Sequence, residues 1–269
     1  MLTLTTKTGQ KYKIHPQALD ISIPLQFNGA QPNSYGVPFA KSEAFEGGGF
    51  VGDVRRGGSC NFEVYSFTPH CNGTHTECVG HITEKRIAVH ERLQTAFIPA
   101  TVCTVQPRKA TETADTYVPD FNPEDWVIDC LTLENALMNY NSDFSEGLII
   151  RTLPNSPDKK SRDYTKHDAP FFSIEAMQKI RKMGVKHLLI DTPSIDRLLD
   201  DGKLSAHHLY FEIPAGEKNE IKPIDYTITE FIYVPETIAD GIYLLNLQIA
   251  PFMSDASPSR PLLFALSID

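Results

Sequence analysis

Residues 69–81 read Pro69-His70-Cys71-Asn72-Gly73-Thr74-His75-Thr76-Glu77-Cys78-Val79-Gly80-His81 and are the most informative segment of this 269-residue chain. They include three of its 9 histidines, two of its 5 cysteines and one carboxylate. Imidazole, thiolate and carboxylate are the side chains that bind zinc-like cations. The alternative is a polar loop whose histidines bond to neighbouring groups. The density of ligand-type side chains favours a metal site.

The spacing within this segment also fits a metal site. His75 and Glu77 are two residues apart, so in an extended strand their side chains point to the same face. Gly73 would let the backbone turn sharply before them. His81 follows a second glycine, Gly80, and could return over the same position. We therefore expect these side chains to converge on a common point.

The same segment resembles the signature of the metal-dependent cyclase family, which includes kynurenine formamidase and isatin hydrolase. That signature is His-X-Gly-Thr-His-X-Asp-X-Pro-X-His. Here Gly73-Thr74-His75, Glu77 and His81 match it in spacing. Glu77 stands in place of the family's Asp, and Val79 stands in place of its Pro. Glutamate is one methylene longer than aspartate, so it could still bridge two ions.

The first ligand stays open between two neighbouring residues. An ungapped alignment places Cys71 at the family's first histidine, whereas a bulge of one residue would bring His70 to the metal. We favour His70, because imidazole beside a carboxylate keeps the site electrophilic enough to activate water.

Motifs in the second half extend the resemblance to residues 18–266. The family carries, in order, Arg-Thr after a strand, Asp-X-Pro-Ser-Val-Asp, Ala-His-His, a glutamate and Asp-Gly-Ser-Pro-X-Arg. The matching segments here are Arg151-Thr152, Asp191-Thr192-Pro193-Ser194-Ile195-Asp196, Ala206-His207-His208, Glu230 and Asp255-Ala256-Ser257-Pro258-Ser259-Arg260. In the formamidases the first histidine of the pair and the later glutamate contribute to a second metal position. The resemblance therefore implies His207 and Glu230 as ligands, with an apparent insertion between them at 213–224.

The implied site has a definite chemistry. It holds one or two divalent ions, zinc or manganese, and its ligands are His70, His75, Glu77, His207 and Glu230. Such an ion lowers the pKa of a bound water from about 15.7 towards ~7, and the resulting hydroxide can attack a carbonyl. We expect His81 to move the proton, since the reference pKa of histidine is near neutral. Asp191 and Asp196 are expected to cap turns after a strand.

The resemblance also implies the fold, a single α/β domain of the swivelling β/β/α type with a mixed, partly barrel-like sheet and outer helices. The residue pattern of the second half agrees. A buried strand at 147–152, a helix capped by Ser173 and closed by Gly184, and a strand at 185–190 form a crossover unit with parallel strands. Ligands commonly bind at the carboxyl ends of such strands.

The first half is less regular. Residues 2–14 predict a hairpin, so we divide the chain into an N-terminal hairpin extension, 1–17, and a cyclase-like metal hydrolase domain, 18–269. Residues 61–68 have apolar side chains on both faces, which predicts a largely buried strand that leads into the histidine segment.

Composition indicates the kind of partner. A net charge of −9 and a pI near 5.5 argue against nucleic acid or an anionic membrane surface as the main partner. The first residues lack the basic and apolar regions of a secretory signal, and an odd number of cysteines disfavours a disulfide framework. We expect a cytoplasmic protein with a small-molecule substrate.

These observations predict a metal-dependent hydrolase that cleaves an amide-type bond, such as an N-formyl group or a cyclic amide. Two alternatives remain: a catalytically degenerate member that binds a metal or small ligand, and a lyase or cyclase that uses the same site. The resemblance further implies a homodimer or homotetramer.

Overall fold

The computed structural model describes residues 2–217 and 224–268. The strands in this part of the chain are β1 (Thr3–Thr5), β2 (Lys11–Asp20), β3 (Lys41–Ala44), β4 (Glu46–Gly47), β5 (Phe50–Val51), β6 (Glu63–Ser66), β7 (His75–Cys78), β8 (Phe97–Val105), β9 (Arg108–Lys109), β10 (Trp126–Ile128), β11 (Gly147–Thr152), β12 (Phe171–Phe172), β13 (His187–Ile190), β14 (Thr227–Glu230), β15 (Gly241–Asn246), β16 (Ala256–Pro258) and β17 (Leu262–Ile268). The α-helices are α1 (Pro69–Asn72), α2 (Val89–Arg92), α3 (Cys130–Ala136), α4 (Ile174–Lys182) and α5 (Ser205–Tyr210). Across these described residues, every helix is too short or too polar to traverse a lipid bilayer.

Ten of the strands form one mixed sheet, in the order β1-β2-β17-β15-β8-β11-β13-β14-β7-β16. The four strands β8, β11, β13 and β14 pair in parallel, and the flanking strands pair antiparallel. A bridge between Ser22 and Ile232 joins the chain after β2 to the chain after β14, so the sheet is partly closed on itself. The predicted single α/β domain with a mixed sheet is confirmed.

The centre of the sheet is buried on both faces, as its continuous apolar sequence predicts. Leu148 and Ile150 of β11 pack in one core cluster with Met177 and Ile180 of α4. Ile149 lies between them in sequence, points to the opposite face and packs in a second cluster. Strand β11 therefore has a hydrophobic layer on each side.

The predicted crossover unit is confirmed. The Ser173 hydroxyl accepts a hydrogen bond from the Ala176 backbone N–H at 3.0 Å and caps α4, and Gly184 follows the helix with φ of +78°. Strands β11 and β13 then pair in parallel. Their carboxyl ends lie at one edge of the sheet, where Asp191 and Asp196 follow β13.

The predicted buried strand at 61–68 is wrong. Strand β6 occupies only Glu63–Ser66, all four residues are exposed, and it pairs with β3 in a separate two-stranded sheet. Apolar residues on both faces indicate burial only where layers cover both faces, and among the described residues the main sheet does not include β6.

The N-terminal hairpin is present, with Thr3–Thr5 paired antiparallel to Lys11–Lys13. Its second strand, β2, continues to Asp20 and pairs with β17. The division at residues 17 and 18 remains a prediction. Of the apparent insertion at 213–224, residues 218–223 lie outside the described part of the chain.

His187, at the start of β13, should make stability depend on pH. It is buried, its Nδ1 lies 2.9 Å from the Thr227 hydroxyl, and burial lowers its pKa to about 4. Between pH 6.5 and 4 the unfolded imidazole binds a proton and the folded one does not, so the free energy of unfolding falls as pH is lowered. The total loss is about 3 kcal/mol, at 1.36 kcal/mol per pKa unit.

Chemical denaturation between pH 7 and pH 4 measures this contribution. We expect His187→Gln to lose less stability than the wild type over this range, because glutamine has no proton to gain. Parallel curves for the two proteins would contradict the prediction.

Candidate metal centre

Strand β7 places the ligand-type residues at the centre of the site. Its four residues are buried between β14 and β16. The antiparallel register sets His75 opposite Glu230 of β14, and Glu77 opposite Ala256 of β16. Because alternate residues of a strand share a face, His75 and Glu77 point to the same side. Gly73, which we expected to turn sharply, is fully extended (φ 168°, ψ −170°) and follows the short helix α1.

The contact between His75 and Glu230 suits a cation or a proton between the two side chains. His75 Nδ1 donates to the carbonyl of Gly73 at 3.1 Å, which leaves Nε2 with a lone pair. That Nε2 lies 3.4 Å from Glu230 Oε2 and has no hydrogen-bond partner among the described residues. A buried nitrogen lone pair and a buried carboxylate oxygen that face each other repel unless a positive group lies between them. This geometry fits a bound metal ion.

Glu77 lies between two groups of ligand-type side chains. Its Oε1 is 2.9 Å from His207 Nε2, and its Oε2 is 3.0 Å from His70 Nδ1 and 3.9 Å from His81 Nδ1. Burial raises the pKa of Glu77, but the charge on His81 and the contacts with His207 and His70 outweigh burial and hold it well below the usual range. Glu77 is therefore a carboxylate, the form that binds metals.

The structure brings the expected residues together in two overlapping groups. In each group, one ligand atom per residue lies within 4.8 Å of the others; the groups are His70, Glu77 and His81, and His75, Glu77 and Glu230. His207 adjoins both through Glu77, and its Nε2 is 4.0 Å from Glu230 Oε1. Among the described residues, Cys71 belongs to neither group. The geometry therefore favours His70 over Cys71.

Asp196 orients His207 and was not assigned this role from the sequence. Its carboxylate accepts hydrogen bonds from Tyr117 Oη at 2.7 Å, from the Ala206 backbone N–H at 2.7 Å and from His207 Nδ1 at 2.6 Å. Because the Nδ1–H group of His207 donates to Asp196, the other ring nitrogen, Nε2, faces Glu77. Metal-binding histidines usually have such a carboxylate on the second nitrogen. The sequence signals were its position after a central parallel strand and its place in the segment that matches Asp-X-Pro-Ser-Val-Asp.

Asp255 is a second carboxylate beside the ligand groups; the sequence placed it in a segment matching the family but gave it no role. Its Oδ2 accepts a hydrogen bond from His70 Nε2 at 2.8 Å and lies 3.4 Å from His81 Nδ1. Burial lowers the pKa of His70, but hydrogen bonding to Asp255 and Glu77 outweighs burial and raises it to about 10. The rings of His70 and His81 lie close together, with centroids 4.4 Å apart.

The donor set fits a divalent transition-metal ion. Imidazole nitrogens and carboxylate oxygens suit Zn²⁺, and carboxylate-rich sites also accept Mn²⁺. The unpartnered His75 Nε2 points into the site, as does Glu77 Oε2, which lies 3.0 Å from His70 Nδ1. Unsatisfied buried acceptors are rare in proteins, and a bound cation would satisfy His75 Nε2.

The chain is similar in sequence to known proteins. The sequence model of the Cyclase family matches residues 12–197. The kynurenine formamidase of Bacillus cytotoxicus is 29% identical over 128 residues, which are 47% of this chain and 53% of that protein. The match thus spans about half the length of this curated relative.

Solved structures show the same fold at low sequence identity. An isatin hydrolase bound to the product analogue thioisatinate superposes with a TM-score of 0.60 at 13% identity, over 93% of each chain. Isatin hydrolase A from Ralstonia solanacearum gives 0.58 at 13% identity, over 93% of this chain and 92% of that one. A potential metal-dependent hydrolase with cyclase activity gives 0.56 at 15% identity, over 94% and 99%.

Proposed function

Because the chain belongs to the Cyclase family, we propose that it is a metal-dependent hydrolase of an amide-type bond. The opposed lone pairs of His75 Nε2 and Glu230 Oε2, beside the shared carboxylate of Glu77, carry this proposal. The similarity to a kynurenine formamidase and to isatin hydrolases supports an N-formyl group or a cyclic amide as the bond that is cleaved.

We assign the metal ligands from the two overlapping groups. His70, His75, Glu77, His207 and Glu230 would hold one or two ions, zinc or manganese. A bound divalent ion supplies Lewis-acid chemistry, which makes water a better nucleophile and a carbonyl a better electrophile. Asp196 keeps the proton of His207 on Nδ1, so that the lone pair of Nε2 is available to bind a metal ion.

His81 is the proposed proton-transfer residue. Its side chain is 28% exposed and that of His70 is 26% exposed, whereas those of His75 and His207 are buried. Substrate and solvent can therefore reach His81, and His70 is already assigned as a ligand. We propose that it accepts a proton from the attacking water and donates one to the leaving nitrogen.

The expected partners and location are part of the same proposal. The substrate is a small molecule, and the protein acts in the cytoplasm as a homodimer or homotetramer. All five cysteines are free thiols, which suits a reducing compartment.

A substrate panel tests the proposed activity. The purified protein is depleted of metal with a chelator and assayed with and without added Zn²⁺ or Mn²⁺. Formate release from N-formylkynurenine and ring opening of isatin are the first assays, followed by other formamides, cyclic amides and lactones. We expect metal-dependent turnover on at least one member. Absence of metal-dependent turnover across the panel would remove the proposed activity.

Metal binding without turnover is the second candidate function. The observation that favours it is the position of His81, which forms one of the two groups of ligand-type side chains with His70 and Glu77. A histidine that is used as a ligand cannot exchange protons through the same nitrogen. Replacement of His81, described in the Discussion, separates the two candidates.

A further inference from the structure

Asp255 is held against the metal-binding strand by its own backbone. Its carbonyl accepts a hydrogen bond from the Cys78 N–H at 3.1 Å, and Ala256, the next residue, pairs with Glu77. The preceding residue, Ser254, accepts a hydrogen bond from the Val89 N–H at 2.8 Å. The position of Asp255 relative to β7 is therefore determined by sheet and loop hydrogen bonds.

The two oxygens of Asp255 have different partners. Oδ2 accepts from His70 Nε2 at 2.8 Å and faces His81 Nδ1 at 3.4 Å. Oδ1 lies 3.2 Å from the Ser254 hydroxyl, which donates to it. Hydrogen bonds from His70 and His81 hold the pKa of Asp255 well below its usual range. One carboxylate oxygen therefore faces both imidazoles.

Gly80 makes this approach possible. A Cβ atom at this position would lie 2.2 Å from the Ile87 carbonyl oxygen and 3.2 Å from the Asp255 Cβ. The first distance is far below a van der Waals contact, and the second is tight. Any side chain at position 80 would push apart the segments that carry Asp255 and His81. The close packing at Gly80 is thus evidence, independent of the hydrogen bonds, that Asp255 lies against the segment that carries His81.

We propose that Asp255 is a positioning residue that aligns the metal ligand His70 and the proton-transfer residue His81 through a single oxygen. In the metal-bound protein, Nε2–H of His70 would donate to Asp255, and Nδ1, which lies 3.0 Å from Glu77 Oε2, would turn its lone pair to the ion. A carboxylate that accepts a hydrogen bond from a metal-binding histidine orients the imidazole ring and increases its basicity. The contact with His81 fixes that ring beside the first.

The inference rests on the proposed metal site, and metal affinity tests it without any substrate. We expect Asp255→Asn to weaken the binding of Zn²⁺ by about 10–100-fold, measured by competition with a chromophoric chelator. The unfolding temperature of the metal-free protein should stay close to that of the wild type, because the amide is isosteric. The matched control is Ser254→Ala, which removes only the contact to Oδ1 and should bind Zn²⁺ like the wild type.

Asp255→Ser serves as a second variant in case the asparagine variant does not fold, and it should show the same loss of affinity. Once a substrate is known, the Asp255 variants should also lower kcat at saturating metal while KM changes little. Wild-type Zn²⁺ affinity in a folded Asp255 variant would overturn the proposal, as would an equal loss in Ser254→Ala. If the wild type turns over no substrate, the proposed activity fails while the affinities still decide the role of Asp255.

Discussion

Glu77→Gln should remove metal from both ligand groups and lower turnover by about 10³-fold or more. Glu77 is the one residue common to the two groups, and its oxygens contact His207 on one side and His70 on the other. An amide keeps the shape of the side chain but loses the negative charge that attracts a cation. A metal ion contributes several kcal/mol to stabilisation of the transition state, and about 4 kcal/mol corresponds to about 10³-fold in rate.

Elemental analysis of purified wild type and variant, combined with the substrate assay, measures this effect. Glu146→Gln is the matched control, because Glu146 is a partly buried glutamate that pairs with Lys186 away from the ligand groups. The control should keep its metal. A Glu77→Gln protein with the metal content of the wild type would show that the shared carboxylate is not a ligand.

His81→Ala should lower kcat by about 10²–10⁴-fold and leave the metal in place. The five proposed ligands do not include His81, so its removal takes away the group that moves the proton and not the ions. Because the side chain is partly exposed, truncation leaves no large buried cavity, and the variant should fold normally. Its unfolding temperature and metal content should match those of the wild type.

The same variant decides between turnover and simple binding. If His81→Ala loses metal together with activity, then His81 is a ligand, and the proton-transfer role is wrong. If activity is unchanged, another group moves the proton. His90→Ala is the control, since His90 is an exposed histidine on the neighbouring helix α2 and should have no effect.

The elements that could be predicted are those whose signals are local. The cap at Ser173, the apolar face of α4 and Gly184 lie within a dozen residues, and helix α4 forms where they indicate. The continuous apolar run of β11 likewise identified a strand with a layer on each side. In both cases backbone geometry and nearby residues determine the conformation, so the sequence pattern is sufficient.

Strand β6 shows the limit of such signals. Phe62 and Val64 on one face and Tyr65 on the other indicated burial, yet all three are more than half exposed, and β6, which includes Val64 and Tyr65, belongs to a separate two-stranded sheet. A pattern of apolar residues shows which faces could be covered, but the cover itself comes from distant parts of the chain. Within the described residues, β6 pairs only with β3.

In the metal centre, too, some features can be predicted from the sequence and others depend on the fold. The ligand types and the shared orientation of His75 and Glu77 can be read from residues 69–81, because side chains alternate along a strand. Which atoms meet them depends on partners far away in sequence, since His207 is 130 residues from Glu77 and Asp255 is 185 residues from His70. The register of β7 against β14 and β16 sets these contacts. Sheet register arises from the packing of the whole core, so no short segment contains it.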